Sequence, residues 1–433
     1  MTLRTATGPK ALIITTVHWP ATTRLGLALI ESGFAVAAVA VPDHGLRRLP
    51  GLDASFVCRS HFRLAATVRH AIETWSPDIV IPGDDPSLQA LHELHSRAKA
   101  GQGHRPARMM DLIETSLGDP AHFSLVAKRS AFTALAKADG IRIPVTETPT
   151  DVADLRARLA GATFPKVLKV DGTWGGLGVR IVHNVDEAER AFVDLASLPK
   201  WSRIAKRIVQ GLDFAPLQVR LTGEAPTVTL QEFIHGRPAN CAVLCWKGHV
   251  LAELSVEVLQ TGVETGPSTV VRVVDNQEMK DVATHVVRRL NLSGFCGFDF
   301  MRDDAGFMHL LELNARTTQI CHLALSEQTD MLGALYAQLT GTARRRLASA
   351  KHDVIAFFPQ EYWRDPASSY LSSAYHDVPW QAPQVIAAYL QPPRHHWLDE
   401  LLHVVRTARG LRAEASALGA VPMTPSVANK GRG

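Results

Sequence analysis

The sequence has few cysteines, and their spacing is not that of a disulfide framework or a zinc site. An odd number of cysteines without a Cys-x-x-Cys pair favours buried, reduced thiols. Cys241 and Cys245, four residues apart on a predicted strand, are expected to share one face as small core residues. The cysteines are Cys58, Cys241, Cys245, Cys296 and Cys321.

Long hydrophobic runs and basic clusters are also missing. The apolar stretch in the opening MTLRTATGPKALIITTVHWP is too short for a signal peptide or a membrane span. Lys plus Arg number 46 against 42 for Asp plus Glu, and this charge is spread along the chain. We therefore expect a cytoplasmic protein with no nucleic-acid or membrane partner. With 433 residues, 46% of them hydrophobic, the chain can form roughly two to four domains.

Several catalytic motifs are absent as well. No Gly-x-Gly-x-x-Gly follows the first predicted strand, which argues against a nicotinamide oxidoreductase. The segment His92–His95 (HELH) lacks the i, i+4 histidine pair of a helical zinc site and is expected to lie on a solvated helix face. No Ser/His/Asp or Cys/His constellation is evident.

The N-terminal part alternates strands and helices. The runs ALIITTV and FAVAAVAV flank a helical ATTRLGLALIESG, which a threonine should cap and Gly33 should end. A helix in FRLAATVRHAIETW and a strand in DIVIPG continue the series, which predicts a small parallel sheet with flanking helices. Ligands bind beyond the carboxyl ends of such strands. There, Asp84 and Asp85 either recognise a substrate amine or, in the case of Asp85, cap the next helix.

The pattern changes from about Ala121. A helix is predicted to end at Gly140 and a short strand to end at Pro144. After a further helix and the strand FPKVLKV comes a glycine-rich loop between two strands. Glycines let backbone N–H groups approach phosphate oxygens, and Lys169 would add a point charge, although turn geometry alone also explains such glycines. The loop contains Asp171, Gly172, Gly175, Gly176 and Gly178.

A later strand, TVTLQEFIHG, ends in an extended segment whose backbone is suited to hydrogen-bond an adenine edge. The segment consists of Gln231, Glu232, Phe233 and Ile234.

The stretch FDFMRDDAGFMHLLELNAR predicts an antiparallel hairpin that turns near Ala305 and Gly306. Alternation then places Glu312 and Asn314 on one face, with Asp299 directly opposite Glu312. Opposed carboxylates repel, and a hard divalent cation such as Mg²⁺ would remove the conflict. The alternative is that these acids form structural ion pairs with Lys or Arg.

Taken in order, Lys169, the glycine loop, the QEFI segment and the D…ELNAR hairpin resemble the ATP-grasp superfamily, whose members include D-alanine:D-alanine ligase and biotin carboxylase. The resemblance spans roughly Ala121 to Thr340 and implies an α/β fold with a two-lobed ATP-grasp domain. We predict four parts: a Rossmann-like domain (1–118), the ATP-grasp domain (119–340), a small accessory region (341–415) and a disordered tail (416–433).

The resemblance also implies residue roles. Lys169 and the glycine loop would bind the phosphates of ATP, with Arg129 as a further phosphate ligand, and the segment 231–234 would line the adenine pocket. Asp299, Glu312 and Asn314 would hold Mg²⁺ or Mn²⁺. Arg316 would steady the transferred phosphoryl group. His322 either contacts substrate or is a packed core histidine.

The activity implied is that of a carboxylate-amine ligase. A small-molecule carboxylate attacks the γ-phosphate, and an amine or a thiol opens the acyl phosphate. The segment after Arg316 lacks the Glu-His arrangement of biotin carboxylase, which disfavours bicarbonate chemistry. A carboxylate kinase or a regulatory nucleotide-binding module is the alternative, and a homodimer is a family-level expectation.

Overall fold

A computed structural model describes residues 8–170, 178–197, 201, 204, 220, 226–262, 266–344 and 352–390. Its N-terminal part contains a parallel four-stranded sheet in the order β3-β2-β1-β4. The continuous apolar runs form its central strands because both faces are covered. The short β3 was not predicted. The strands are β1 (Lys10–Thr15), β2 (Ala35–Ala40), β3 (Ala54–Val57) and β4 (Ile79–Pro82).

Helices cover this sheet. The first helix begins at Pro20 after Trp19, so the predicted threonine cap is wrong. Proline suits the first helical position because its φ is already helical and it has no N–H to leave unsatisfied. The helices are α1 (Pro20–Glu31), α2 (Leu64–Trp75), α3 (Asp85–Lys99) and α4 (Pro106–Leu117), with 3-10 turns at Gly45–Arg48, His61–Arg63 and Pro120–His122.

The next segment differs from its predicted form. The single helix ending at Gly140 is two helices, α5 (Phe123–Val126) and α6 (Arg129–Ala138), interrupted at Lys128. The strand predicted to end at Pro144 is an extended connection in which the Arg142 carbonyl accepts a hydrogen bond from Leu310 N at 2.9 Å.

A second four-stranded sheet, in the order β5-β8-β6-β7, is antiparallel. Leu168 and Val170 pack against α7 and α8 on one face, so alternation places Lys169 on the other. The strands are β5 (Thr146–Glu147), β6 (Lys166–Val170), β7 (Val179–Val182) and β8 (Val228–Glu232), and the helices are α7 (Val152–Leu159) and α8 (Val185–Ala196).

The third sheet has seven strands in the order β13-β12-β9-β10-β11-β14-β15. One face, with Phe298, packs on the apolar stripe of α9 (Gln277–Arg289). The other face joins a core that includes Ile13 of the N-terminal sheet. The strands are β9 (Gly236–Trp246), β10 (His249–Thr261), β11 (Ser268–Val273), β12 (Gly294–Asp303), β13 (Met308–Asn314), β14 (Val354–Phe357) and β15 (Tyr375–Asp377).

The accessory region is described for residues 352–390, and it extends the seven-stranded sheet with β14 and β15. Phe357 and Val385 share the core of the N-terminal sheet. The remaining helices are α10 (Met331–Thr340), α11 (Gln360–Arg364), α12 (Tyr370–Ser373) and α13 (Pro383–Leu390).

Two further expectations concern cysteine and the membrane. All five cysteine side chains are buried thiols, as predicted. Within the described ranges, no helix combines the length and apolar character that a membrane crossing requires. The predicted disordered tail (416–433) lies outside the described residues.

Candidate functional site

The β12–β13 hairpin has the predicted register. Asp299 pairs with Glu312, with an irregularity in the ladder between Asp299 and Phe300. The Asn314 amide lies between the acids, and its Nδ2 donates to Asp299 Oδ2 at 2.9 Å and to Glu312 Oε1 at 3.2 Å. The structure therefore brings together the three side chains predicted to bind a cation.

Asn240 on β9 completes this cluster. Its Nδ2 donates to Asp299 Oδ1 at 2.6 Å, because β9 and β12 pair Asn240 with Asp299. The sequence analysis missed this residue. The sequence feature that could have indicated it is a single amide side chain directly before the apolar run that begins at Cys241.

The two carboxyl groups ionise unequally. Burial, followed by the nearby Glu312 carboxylate, raises the pKa of Asp299 to about 7. Burial opposes ionisation of Glu312 too, but Arg129 and Lys169 outweigh it and lower its pKa to about 2. The part of this shift that Glu312 causes at Asp299 is the repulsion between opposed acids that the sequence predicts.

These donors fit a hard cation. Carboxylate and amide oxygens suit Mg²⁺, which commonly uses one or two protein carboxylates together with substrate phosphates. Across the described ranges, no group of three or more His, Cys, Asp or Glu side chains is arranged to hold a metal. A metal here would therefore rely on Asp299, Glu312 and the Asn314 amide oxygen, with its remaining ligands from a substrate.

Arg129, the first residue of α6, contacts both the seven-stranded sheet and the four-stranded sheet that contains β6. Its Nη2 lies 2.6 Å from Glu312 Oε2, and its Nη1 donates to the Val170 carbonyl of β6 at 3.2 Å. The structural ion pair considered as the alternative for Glu312 is thus present, with Arg129 as partner. If Arg129 bound a phosphate instead of Glu312, the Glu312 Oε2 would become available to a cation.

Lys169 faces the same cluster from the four-stranded sheet. Burial lowers its pKa to about 8, although Glu312 and Asp299 favour the charged form. The ammonium therefore remains largely charged at neutral pH, with two carboxylates in electrostatic range.

Arg316 follows the hairpin and is 8% exposed. Its Nε donates to Asp85 Oδ1 at 2.9 Å and its Nη2 to Asn314 Oδ1 at 2.9 Å. Asp85 was considered as a helix cap, but the cap of α3 is Asp84, which accepts from Ser87 N. A cap of this kind requires the residue before the helix, which leaves the Asp85 side chain to turn toward Arg316.

The predicted adenine segment lies at the end of β8. The Gln231 side chain is buried and donates to Thr146 Oγ1 at 3.0 Å, whereas Glu232 N is bonded to the Val145 carbonyl at 2.8 Å. Phe233 and Ile234 follow the strand, and the Phe233 ring packs edge-on to His235.

The glycine loop is described only at its end. Gly178 is buried, and its carbonyl accepts from Val170 N at 3.1 Å, which closes the β6–β7 connection. Gly172, Gly175 and Gly176 lie outside the described residues.

One residue weighed earlier, His322, is part of the core. It is buried, with Nε2 2.6 Å from Asp377 Oδ2, so the packed-histidine alternative is confirmed.

A cavity adjoins the charged cluster on the side of α3. It has polar groups near Arg316 and apolar walls from α3 and the α5–α6 segment. It is lined by Asp85, Leu88, Gln89, Val126, Ala127, Arg129, Phe132, Glu312, Leu313, Asn314, Ala315 and Arg316.

Residues 127–319, which include both charged faces of this site, match the model of an ATP-grasp domain. Over these residues the chain is similar to the ATP-grasp superfamily. No curated protein matches its sequence.

Solved structures share the fold. The biotin carboxylase domain of 2-oxoglutarate carboxylase from Hydrogenobacter thermophilus, a complex with MgADP, ADP and bicarbonate, has a TM-score of 0.54 at 14% identity, covering 79% of this chain and 71% of its own. Biotin carboxylase from Campylobacter jejuni gives 0.54 at 15% identity, with 78% and 72% covered. Carboxyaminoimidazole ribonucleotide synthase from Aspergillus clavatus, complexed with ATP, gives 0.52 at 16% identity, with 76% and 77% covered.

Proposed function

We propose that this protein is an ATP-dependent ligase that activates a small-molecule carboxylate as an acyl phosphate and couples it to an amine or a thiol. The observation that carries the proposal is the meeting of Arg129 and Lys169 with Asp299, Glu312 and Asn314. The cationic side chains can bind the phosphates of a triphosphate, and the neighbouring oxygen ligands can bind its metal ion.

The side chains divide into two sets. Lys169, Arg129 and the glycines of the 172–178 loop bind ATP phosphates, and the segment 231–234 lines the adenine pocket. Asp299, Glu312 and Asn314 would hold Mg²⁺ or Mn²⁺, and the bound ion would neutralise charge on the phosphate oxygens.

The chemistry requires positioning rather than a protein nucleophile. A carboxylate oxygen of the substrate attacks the γ-phosphorus, forming a new O–P bond while the bond to ADP breaks. Arg316 binds the transferred group. The amine nitrogen then attacks the acyl carbon, inorganic phosphate leaves, and the nitrogen loses a proton.

Each predicted part of the chain is assigned one role in this reaction. The ATP-grasp domain (119–340) carries the phosphoryl chemistry, and the N-terminal domain (1–118) and the accessory region (341–415) shape the substrate pocket. A homodimer remains a prediction, to be measured by light scattering.

The test is ADP release across a panel of small acids and amines. Release that needs both an acid and an amine supports a ligase. Release with an acid alone, accompanied by a hydroxylamine-trapped acyl phosphate, would assign a carboxylate kinase instead. Thermal stabilisation by ATP·Mg²⁺ without ADP release would indicate a regulatory nucleotide-binding module. The absence of stabilisation would contradict nucleotide binding.

A further inference from the structure

The contact between Asp85 and Arg316 joins the N-terminal sheet to the proposed phosphoryl site. The residues are 231 positions apart, and the Arg316 Nε donates to Asp85 Oδ1 at 2.9 Å. We infer that Asp85 is a positioning residue, which holds the Arg316 guanidinium toward the transferred group and away from the carboxylates of Asp299 and Glu312. This inference rests on the proposed function.

Arg316 needs such a restraint because several carboxylates attract it. Besides Asp85, the carboxylates of Glu312 and Asp299 lie within electrostatic range of it. A long guanidinium side chain without a fixed partner would move toward the acids of the hairpin. There it would compete with a cation for the same oxygens.

Three contacts orient the plane of the guanidinium. Besides the bond to Asp85, Nη1 donates to the Thr317 carbonyl at 3.3 Å and Nη2 to Asn314 Oδ1 at 2.9 Å. An arginine has five N–H donors, so two have no partner among the residues described in this structure. These donors remain for oxygens of the transferred phosphoryl group or of the substrate carboxylate.

Asp85 can act as a restraint because its own position is rigid. It is the first residue of α3, and the preceding Asp84 accepts hydrogen bonds from Ser87 N at 2.9 Å and from Val17 N at 3.0 Å. Pro86 further restricts the backbone at this turn. The support for Arg316 therefore comes from the edge of the N-terminal sheet.

Asp85 could also serve only to dock the two parts of the chain. That role is already filled in part, because Thr317 N donates to the Pro82 carbonyl at 3.1 Å and the two parts share an apolar core. Loss of the Asp85 carboxylate should therefore leave the protein folded and affect the orientation of Arg316.

A double-mutant cycle with Asp85→Ala and Arg316→Ala tests the inference. We expect Asp85→Ala to lower kcat for ADP release about 10-fold or more and to change KM for ATP less than about twofold. In the Arg316→Ala background, Asp85→Ala should cause no further loss, since its effect passes through the arginine. Asp85→Glu should restore part of the rate. The matched control is Glu93→Gln on the same helix, which removes the exposed pair with Arg97.

Two results would overturn the inference: an unchanged kcat in Asp85→Ala, or losses that multiply in the double variant. Crystal structures of the wild type and Asp85→Ala give a second measure that does not depend on turnover. We expect the variant's guanidinium to move toward Glu312 or Asp299, and an unmoved Arg316 would refute the positioning role. If the wild type releases no ADP with any acid, the proposed function fails, and the two structures still decide this inference.

Discussion

The guanidinium of Arg129 links Glu312 of the seven-stranded sheet to Val170 of the β5-β8-β6-β7 sheet. Its Nη2 lies 2.6 Å from Glu312 Oε2, and its Nη1 donates to the Val170 carbonyl at 3.2 Å. The acid proposed to hold the cation is thus also the partner of a proposed phosphate ligand. Binding of nucleotide and metal is therefore expected to redistribute these contacts within one site.

Arg129→Ala should raise KM for ATP about tenfold or more, because a charged hydrogen bond to phosphate contributes about 1.5–3 kcal/mol. Arg129→Lys should recover part of the affinity, since it keeps the charge but loses the planar fork. Steady-state ADP release measures both variants. Arg156→Ala, which removes an exposed pair with Glu189, is the control. Equal losses in Arg129→Ala and the control would refute the assignment.

Glu312→Gln should reduce ATP turnover about 100-fold, because the change keeps the shape of the side chain and removes a charge on which the metal site depends. The remaining activity should require a higher Mg²⁺ concentration. A Mg²⁺ titration of ADP release measures the shift, with Glu189→Gln at an exposed ion pair as the matched change. Undiminished turnover in Glu312→Gln would remove the acid from the proposed metal site.

Asp84→Ala should destabilise the fold by about 2–4 kcal/mol, more than the loss of a single helix cap. Its carboxylate bonds Ser87 N at the start of α3 and also Val17 N in the loop after β1. Urea unfolding measures the cost. Asp151→Ala is the control, because Asp151 caps α7 through Asp154 N alone on an exposed surface. A cost no larger than that of the control would show that the loop bonds add little.

Asp377→Asn should destabilise the protein by about 3–5 kcal/mol at pH 7, because it leaves Arg24 buried without its anion. Burial opposes ionisation of Asp377, but Arg24 and His322 outweigh it and hold its pKa well below the usual range. A depressed pKa adds stability above the unfolded value, near 4, and that stability is lost as the pH falls further.

The difference between the wild type and Asp377→Asn should therefore be constant from about pH 7 to pH 5 and shrink below about pH 4. Urea titrations at these pH values measure it. Asp154→Asn, at an exposed pair with Arg158, should show little difference at any pH. A difference for Asp377→Asn that persists unchanged in acid would contradict the argument.

Local patterns in the sequence were sufficient for much of the fold. Alternation and the Asp-Asp-Ala-Gly turn predicted the hairpin, including the pairing of Asp299 with Glu312. The buried runs predicted the parallel N-terminal sheet, and the order of motifs predicted the superfamily. For the neighbouring residues Asp84 and Asp85, the local pattern offered Asp85 as a possible helix cap, whereas the structure has Asp84 as the cap.

Local periodicity was sufficient to assign each strand side chain to one face of its sheet, because side-chain direction follows from the two-residue period of the strand. The contacts between distant groups became evident only in the folded protein: Asp85 with Arg316, Arg129 with both Glu312 and Val170, and Asp377 with Arg24. Such pairs depend on how sheets and helices pack across long loops, and periodicity within a segment carries no information about that packing.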